Sequence, residues 1–257
     1  MKIGIHTNQF DGRGSIRALF DYGCALQDVL NYNPVFITSN RSDSIALKKI
    51  ETRFKLIIYD KRPIHEQQYN EQIETKNLLS SIVDSNQLDF LYMLKSGYND
   101  NVIPVGCRVG THCVFTMDSP HSDVYAGVSK FIANKYNQPL YVPHIINKIN
   151  PSENLRTKLN IPNTAMIIGR HGGADSFNVE FAKIAIRTVL EHRTDIYFLF
   201  LSTDKFIDHE RVIFLPWSDS DQFKFDFIYS IDAFLHSRLG GKHLVWQLVK
   251  HQFATSP

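Results

Sequence analysis

Gly169-Arg170-His171-Gly172-Gly173 is the run in this chain best suited to chemistry on an anion. A guanidinium can grip two phosphate oxygens at once, and glycines let main-chain N–H groups approach a ligand with no Cβ in the way. The run follows a short apolar stretch, 165–168, and precedes a segment in which Phe181, Ile184, Ala185, Val189 and Leu190 fall at helical spacing. Asp175, Ser176 or Asn178 can cap that helix, and residues 196–201 are a second apolar stretch. Residues 167–204 therefore read as strand, glycine-rich turn with an arginine, amphipathic helix and strand. In such a unit the first turn lies at the carboxyl edge of a parallel sheet, where ligands bind. The helix start there adds N–H groups and a positive dipole end. The chemistry this invites is recognition of a phosphorylated small molecule. The competing readings are a plain charge on an exposed turn for Arg170 and a turn of positive φ for Gly172 and Gly173.

The same alternation of elements runs through the rest of the chain. Apolar runs at 3–7, 35–38, 56–59, 90–94, 109–117 and 124–129 read as strands, and 42–50, 71–83 and 130–136 as helices. A further helix opens at Ser15 with Ile16, Leu19, Phe20, Gly23 and Leu26 on one face. Beyond residue 150 come a helix at 155–159, a strand at 212–215, a helix at 220–229 and a strand at 233–236. Strands alternating with helices predict an α/β fold with parallel sheets covered on both faces. The extended, proline-containing segment 140–147 and the polar segment 150–154 divide it into two domains, 1–143 and 144–257. Two such domains meeting at a linker are expected to form a cleft, a common place for a ligand.

Composition narrows the function classes. The chain has 257 residues, 43% hydrophobic and 21% charged, enough for one large or two small cores. A formal net charge of +2 calls for neither a nucleic-acid groove nor a membrane surface. Cys24, Cys107 and Cys113 are odd in number and widely spaced, which reads as reduced, buried thiols. Met1-Lys2-Ile3-Gly4 leads straight into the first strand, and no apolar stretch is long enough to span a bilayer, so a cytoplasmic protein without a transmembrane segment is expected. No His/Cys/Asp/Glu cluster has metal-ligand spacing.

Several stretches, taken in order, resemble a known family. They are MKIGIHTNQFDGRGSIRAL at the start, FTMDSPHSDVYAGVSKFIANKY, VPHIIN, LRTKLNIPNTAMIIGRHGG, and the run from Asp232 to Gly241. Their order and spacing are similar to those of GT-B glycosyltransferases of the glycosyltransferase 4 type, and the resemblance covers nearly the whole chain. It implies two Rossmann-like domains that move a sugar from a nucleotide-sugar donor to an acceptor (a glycan, lipid or protein-linked sugar) with retention of configuration. It implies no cofactor and no bound metal, the donor being a substrate. Carried over position by position, the resemblance gives Arg170 the departing phosphates to stabilise. Gly12, Arg13 and Gly14 fall near the acceptor and the donor phosphate. Gly172 and Gly173 fall at the donor, and Ser237, Arg238, Gly240 and Gly241 face the sugar-diphosphate. A histidine beside the sugar is supplied by His121, with His112 as its competitor.

The departure from the family lies at the end. Where the family continues into a pair of glutamates spaced E-x7-E, this chain reads Gly241-Lys242-His243-Leu244-Val245-Trp246-Gln247 and ends at Pro257. The second domain is therefore expected to be incomplete. Codons permitted for Gly241 to Pro257, read from the third base of the Gly241 codon, allow Glu-Thr-Phe-Gly-Leu-Ala-Ile-Gly-Glu-Ala-Ser-Ile-Cys-Asn-Lys-Pro. That string holds both glutamates at the family spacing, which predicts a shift of reading frame near Gly240. The readings left open are an active transferase, a catalytically impaired nucleotide-sugar-binding remnant, a two-lobed small-molecule binder and an epimerase of the same fold.

Overall fold

The computed structural model describes residues 1–8, 10, 14–146, 149–218 and 220–236. The chain forms two compact units, Met1–Ile146 and Asn147–Pro257. In the first, β1 (Ile3–His6), α1 (Gly14–Asp28), β2 (Val35–Ser39), α2 (Ser44–Glu51), β3 (Lys55–Tyr59), α3 (Tyr69–Asn86), β4 (Phe90–Lys95), β5 (Arg108–Cys113), β6 (Val124–Gly127) and α4 (Lys130–Lys135) follow one another. The six strands pair in parallel in the order β3-β2-β1-β4-β5-β6. The chain thus lays down three strands outward from β1, then returns to β1's other side, so strand order reverses between β1 and β4.

Both faces of this sheet are buried, which is why its strands are near-continuous apolar runs. One face gathers Ile5, Phe10, Leu19, Phe36, Ile50 and Leu94 from the sheet, the segment after β1, α1 and α2. The other gathers Ile37, Leu79, Val83, Leu91, Met93 and Val109 from the sheet and α3. Asp43 caps α2 by accepting from the Ile45 and Ala46 N–H groups. Strand β5 stops at Cys113, short of the expected residue 117. The N–H groups of Val114, Phe115 and Thr116 turn instead to the Lys95 and Ser96 carbonyls, which curls the chain out of the ladder.

The second unit carries α5 (Leu155–Lys158), β7 (Met166–His171), α6 (Glu180–His192), β8 (Ile196–Leu201), β9 (Val212–Leu215), α7 (Asp221–Ser230) and β10 (Ala233–Phe234). Its strands are parallel in the order β10-β7-β8-β9, with the reversal between β7 and β10. Ile167, Leu199, Leu201, Phe227, Ile228 and Ile231 fill one face of the sheet. Val179, Ala182, Ile186, Leu190, Phe198 and Phe200 fill the other. Gly169 is a glycine because a Cβ there would lie 2.3 Å from the Ile231 side chain. The Arg211 guanidinium, 8% exposed, donates to the Leu190 carbonyl at 2.7 Å and also to the Arg193 carbonyl, tying off the end of α6.

Three expectations about this unit are corrected. Strand β7 runs through Gly169, Arg170 and His171, so Arg170 sits inside the strand and not in the turn. The β8 ladder extends that far, pairing Arg170 with Phe200 and His171 with Leu201. The helix cap falls on Val179, with no side-chain cap bond, because residues 174–176 form a separate 3₁₀ turn and the Ser176 hydroxyl is engaged elsewhere. The apolar face of α6 is Ala182, Ile186 and Leu190, while Phe181 and Ile184 are 73% and 56% exposed. Phe177 and Val179 anchor the entry to the helix in the core and so fix its rotation. The three cysteines are free thiols, but only Cys113 is fully buried; Cys24 and Cys107 are half-buried.

Candidate functional site

In open parallel sheets ligands bind outside the carboxyl ends of the strands where strand order reverses. In the second unit that place is the end of β7 beside β10, and Arg170 is there. Its guanidinium is 5% exposed, donating to the Thr203 hydroxyl and to the Ser176 hydroxyl at 2.7 Å each. It also lies over the Phe177 ring, 5.1 Å from its centre, an arrangement that adds cation–π attraction. Ser176 in turn donates to the Gly173 carbonyl at 2.7 Å, closing the turn around the cation. An Arg side chain stays charged at every physiological pH, so this edge carries a permanent cation in a fixed orientation.

Gly172 has a reason that the sequence did not reveal. A Cβ at this position would lie 2.6 Å from Arg170 Nη1 and 2.7 Å from Nη2. Among the described residues the glycines of positive φ are Gly97 and Gly106, and Gly173 has φ −75°, so neither Gly172 nor Gly173 serves a left-handed turn. The glycine at 172 makes room for the guanidinium.

Two further residues at this edge escaped sequence reasoning. Thr203, 8% exposed, supplies the hydroxyl that holds Arg170. Ser202, directly after β8, has φ +56°, and its buried hydroxyl has no hydrogen-bond partner. A non-glycine residue held in the left-handed region with an unmet polar atom is a form of strain that collects at functional sites. The signal available was a Ser-Thr pair at the end of an apolar run. Trp217, 61% exposed, follows β9 on the same sheet. His171 faces the opposite side of β7, where its ring meets Phe227 at 6.5 Å.

In the first unit the strand-order reversal places a different set of groups. His6 ends β1, Tyr59 ends β3 and Lys95 ends β4, and all three are buried. His6 Nε2 and the Tyr59 hydroxyl are hydrogen-bonded at 2.9 Å, while His6 Nδ1 is buried without a partner. Lys95 pairs with Asp100. Burial, with Lys95 adding to it, pushes His6 from 6.5 down to about 3, so the ring is neutral at physiological pH. Burial also lowers Lys95, an effect that Asp100 opposes.

The two competing histidines are separated by their surroundings. His112 is 2% exposed on β5. Its Nδ1 meets the Tyr92 hydroxyl, and its ring lies among Tyr22, Tyr92 and His144 at 5.9, 5.8 and 5.6 Å. Burial first, then His144, pushes it down to about 4. That cluster holds the outgoing chain, since Tyr22 donates to the Pro143 carbonyl at 2.7 Å and the Val142 N–H to the Gly127 carbonyl at 2.8 Å. His121 lies in the loop between β5 and β6, half-buried, with Nδ1 on the Ser119 carbonyl and its ring 5.3 Å from Tyr125. A carbonyl can only accept, so Nδ1 carries a proton there, while Nε2 is buried without a partner.

Of the other positions singled out by sequence, Gly14 begins α1. Gly12, Arg13, Ser237, Arg238, Gly240 and Gly241 lie outside the described residues, as does the side chain of Ser15. Among the described residues no group of three or more His, Cys, Asp or Glu side chains is placed to hold a metal ion. None of their helices is long and apolar enough to cross a membrane.

No protein-family model and no curated protein matches the chain. Solved structures do. A glycosyltransferase from Rickettsia africae is 12% identical with a TM-score of 0.71, covering 98% of this chain and 76% of its own. Anabaena HepE, solved in complex with UDP, is 11% identical with a TM-score of 0.68, covering 100% of this chain and 79% of its own. A UDP-N-acetylglucosamine 2-epimerase is 9% identical with a TM-score of 0.58, covering 91% of this chain and 73% of its own. At such identities the likeness speaks for architecture alone. With two parallel α/β units in sequence and these neighbours along nearly its whole length, the chain has the GT-B fold, built from Rossmann-like units.

Proposed function

We propose that the chain binds a nucleotide-sugar donor at the carboxyl edge of β7 and transfers its sugar to an acceptor with retention of configuration. The observation that carries this reading is the Arg170 guanidinium, held by Thr203 and Ser176 beside the strand-order reversal of the second sheet. When a sugar leaves a nucleoside diphosphate, negative charge builds on the departing phosphate. A preorganised cation lowers the barrier by binding that charge more strongly in the transition state than before it. Gly172 and Gly173 line the turn at the same phosphates, with the Gly172 N–H itself donated to the Leu201 carbonyl at 3.3 Å, and the exposed face of Trp217 suits a nucleotide base. His121 hydrogen-bonds a sugar hydroxyl through its unpartnered Nε2. Gly12, Arg13, Gly14, Ser237, Arg238, Gly240 and Gly241 keep the roles that the family resemblance implies. HepE's complex with UDP supports a uridine nucleotide as the first donor to test.

A second reading, donor binding without transfer, is favoured by the sequence after Gly240, which lacks the family's paired glutamates. One experiment orders the two. UDP and UDP-glucose are titrated against the chain by calorimetry, and UDP-glucose turnover is followed by release of UDP. Binding with turnover supports the transferase, and binding without it supports the second reading. Arg170→Lys keeps a positive charge but loses the planar fork, so UDP should bind about tenfold more weakly or worse. Equal UDP affinity in Arg170→Lys, or no nucleotide binding by the unaltered chain, sinks the proposal.

A further inference from the structure

The chain leaves the first unit along residues 140–146, and the second unit begins at Asn147. The leaving segment has little apolar hold on the sheet, since Leu140, Tyr141 and Val142 are 49%, 47% and 41% exposed. Hydrogen bonds hold it instead. The Gly127 N–H donates to the Leu140 carbonyl at 3.1 Å, the Val142 N–H to the Gly127 carbonyl at 2.8 Å, and the Tyr22 hydroxyl to the Pro143 carbonyl at 2.7 Å. One ring adds to them. His144, half-buried, stands edge-on to His112 at 5.6 Å and lies 6.3 Å from Tyr22. A segment held by few buried apolar contacts opens at lower cost than the core beneath it.

Two imidazoles packed together away from water are stable only while both stay neutral. His112 Nε2 and His144 Nδ1 are buried without a hydrogen-bond partner, so neither has an acceptor ready for an added proton. The titratable groups facing the pair are Tyr22 from α1 and Tyr92 from β4, and burial keeps both phenols protonated. Asp21, beside Tyr22, is paired with Arg17 on the same helix, and β6 brings only Gly127. Burial lowers both histidines; His144 adds to the effect on His112, and the Val142 and Gly127 carbonyls near that ring oppose it. The two rings differ in their freedom to leave. His112 is fixed in β5 between β4 and β6, with Nδ1 on the Tyr92 hydroxyl. His144 reaches water as soon as its own segment lifts, and that lifting also uncovers His112.

We infer that His112 and His144 form an acid-sensitive clasp on the chain between the two units. At neutral pH the paired rings hold residues 140–144 against β6 and α1; protonation releases that segment while the sheet stays folded. The sign follows from linkage. The closed rings bind a proton less readily than free ones, so the open segment holds more protons as pH falls below about 6.5, and acid favours it. Release lengthens the free tether between the units, whatever either unit binds.

The test is amide hydrogen exchange on the whole chain, corrected for the intrinsic effect of pH on the exchange chemistry. The Val142 and Gly127 N–H groups report on the clasp, and the β1 amides report on unfolding of the unit. In the unaltered chain the clasp amides should exchange faster than those of β1. Their protection should fall about tenfold or more between about pH 7.5 and about pH 5. His144→Phe keeps a ring and His144→Gln keeps a polar group, but neither gains a proton in this range, so both should weaken the pH dependence. Adding His112→Phe to either should abolish it, and His6→Phe should leave it in place. Clasp amides that exchange only at the β1 rate, protection that does not change with pH, or an equal fall in both His144 variants overturns the inference.

Discussion

Gly97 and Gly172 stand at corresponding places, each just past a strand beside the reversal of its sheet, and they are glycines for opposite reasons. Gly97 has φ +110°, and a Cβ there would lie 1.8 Å from the Thr116 carbonyl oxygen, a main-chain atom that cannot step aside. Gly172 is opposed only by the far end of the Arg170 side chain, which can move. The first glycine is required by the fold of its unit, the second by the placement of the Arg170 guanidinium. The electrostatics divide the same way. The first unit buries groups that titrate, His6, His112 and Lys95, whereas the second builds its edge on an arginine that does not.

The sharpest way to break this comparison is Gly97→Ala. Backbone strain and the clash with Thr116 together should cost about 4 kcal/mol or more, read as a lower urea midpoint. A loss under about 1 kcal/mol would mean that the loop is free to rearrange. Acid comes next. The unfolded chain protonates its histidines near 6.5, while the folded rings do so only near 4 for His112 and near 3 for His6. The unfolded state therefore holds more protons at mildly acid pH. Stability is full above pH 6.5 and declines as pH falls, by about 2 kcal/mol for each ring between about pH 7.5 and about pH 5. Urea unfolding at the two pH values, repeated on His6→Phe and His112→Phe, checks the sign and the share of each ring. Stability that holds steady across this range would contradict buried neutral histidines. The smallest change in stability belongs to Gly172→Ala, within about 1 kcal/mol because the guanidinium can shift. UDP affinity should nevertheless fall about tenfold as Arg170 is displaced. A variant that loses stability but keeps its UDP affinity would place Gly172 with Gly97 after all.

Where the sequence could be read, physics had left one option. Parallel strands buried on both faces are runs of apolar residues, so β9 lies where 212–215 predicts it, and the alternation with helices gives the α/β class. Strand ends were harder because a ladder partner decides them. β7 continues through Arg170 and His171 since Phe200 and Leu201 are there to pair with them, whereas β5 ends four residues early when the Val114–Thr116 amides turn away. The face of α6 was misread for a similar reason. Phe181 and Ile184 fit a helical stripe as well as Ala182 and Ile186 do, and only the anchoring of Phe177 and Val179 chooses between them. At the candidate site, Arg170 could be named from its glycine neighbours, but Thr203 and Ser176 become its partners only in three dimensions. His6, Tyr59 and Lys95 did leave a trace. Each is the polar or hydroxylated last residue of an apolar run, at the edge where ligands bind.

The outer side of α6 matters for handling the protein. Phe181 and Ile184 are one helical turn apart and both face water, while a formal charge of +2 gives neighbouring molecules little long-range repulsion. Colloidal behaviour should then follow the salt series: sulfate should drive self-association through that ridge, and Phe181→Lys should delay the onset of turbidity.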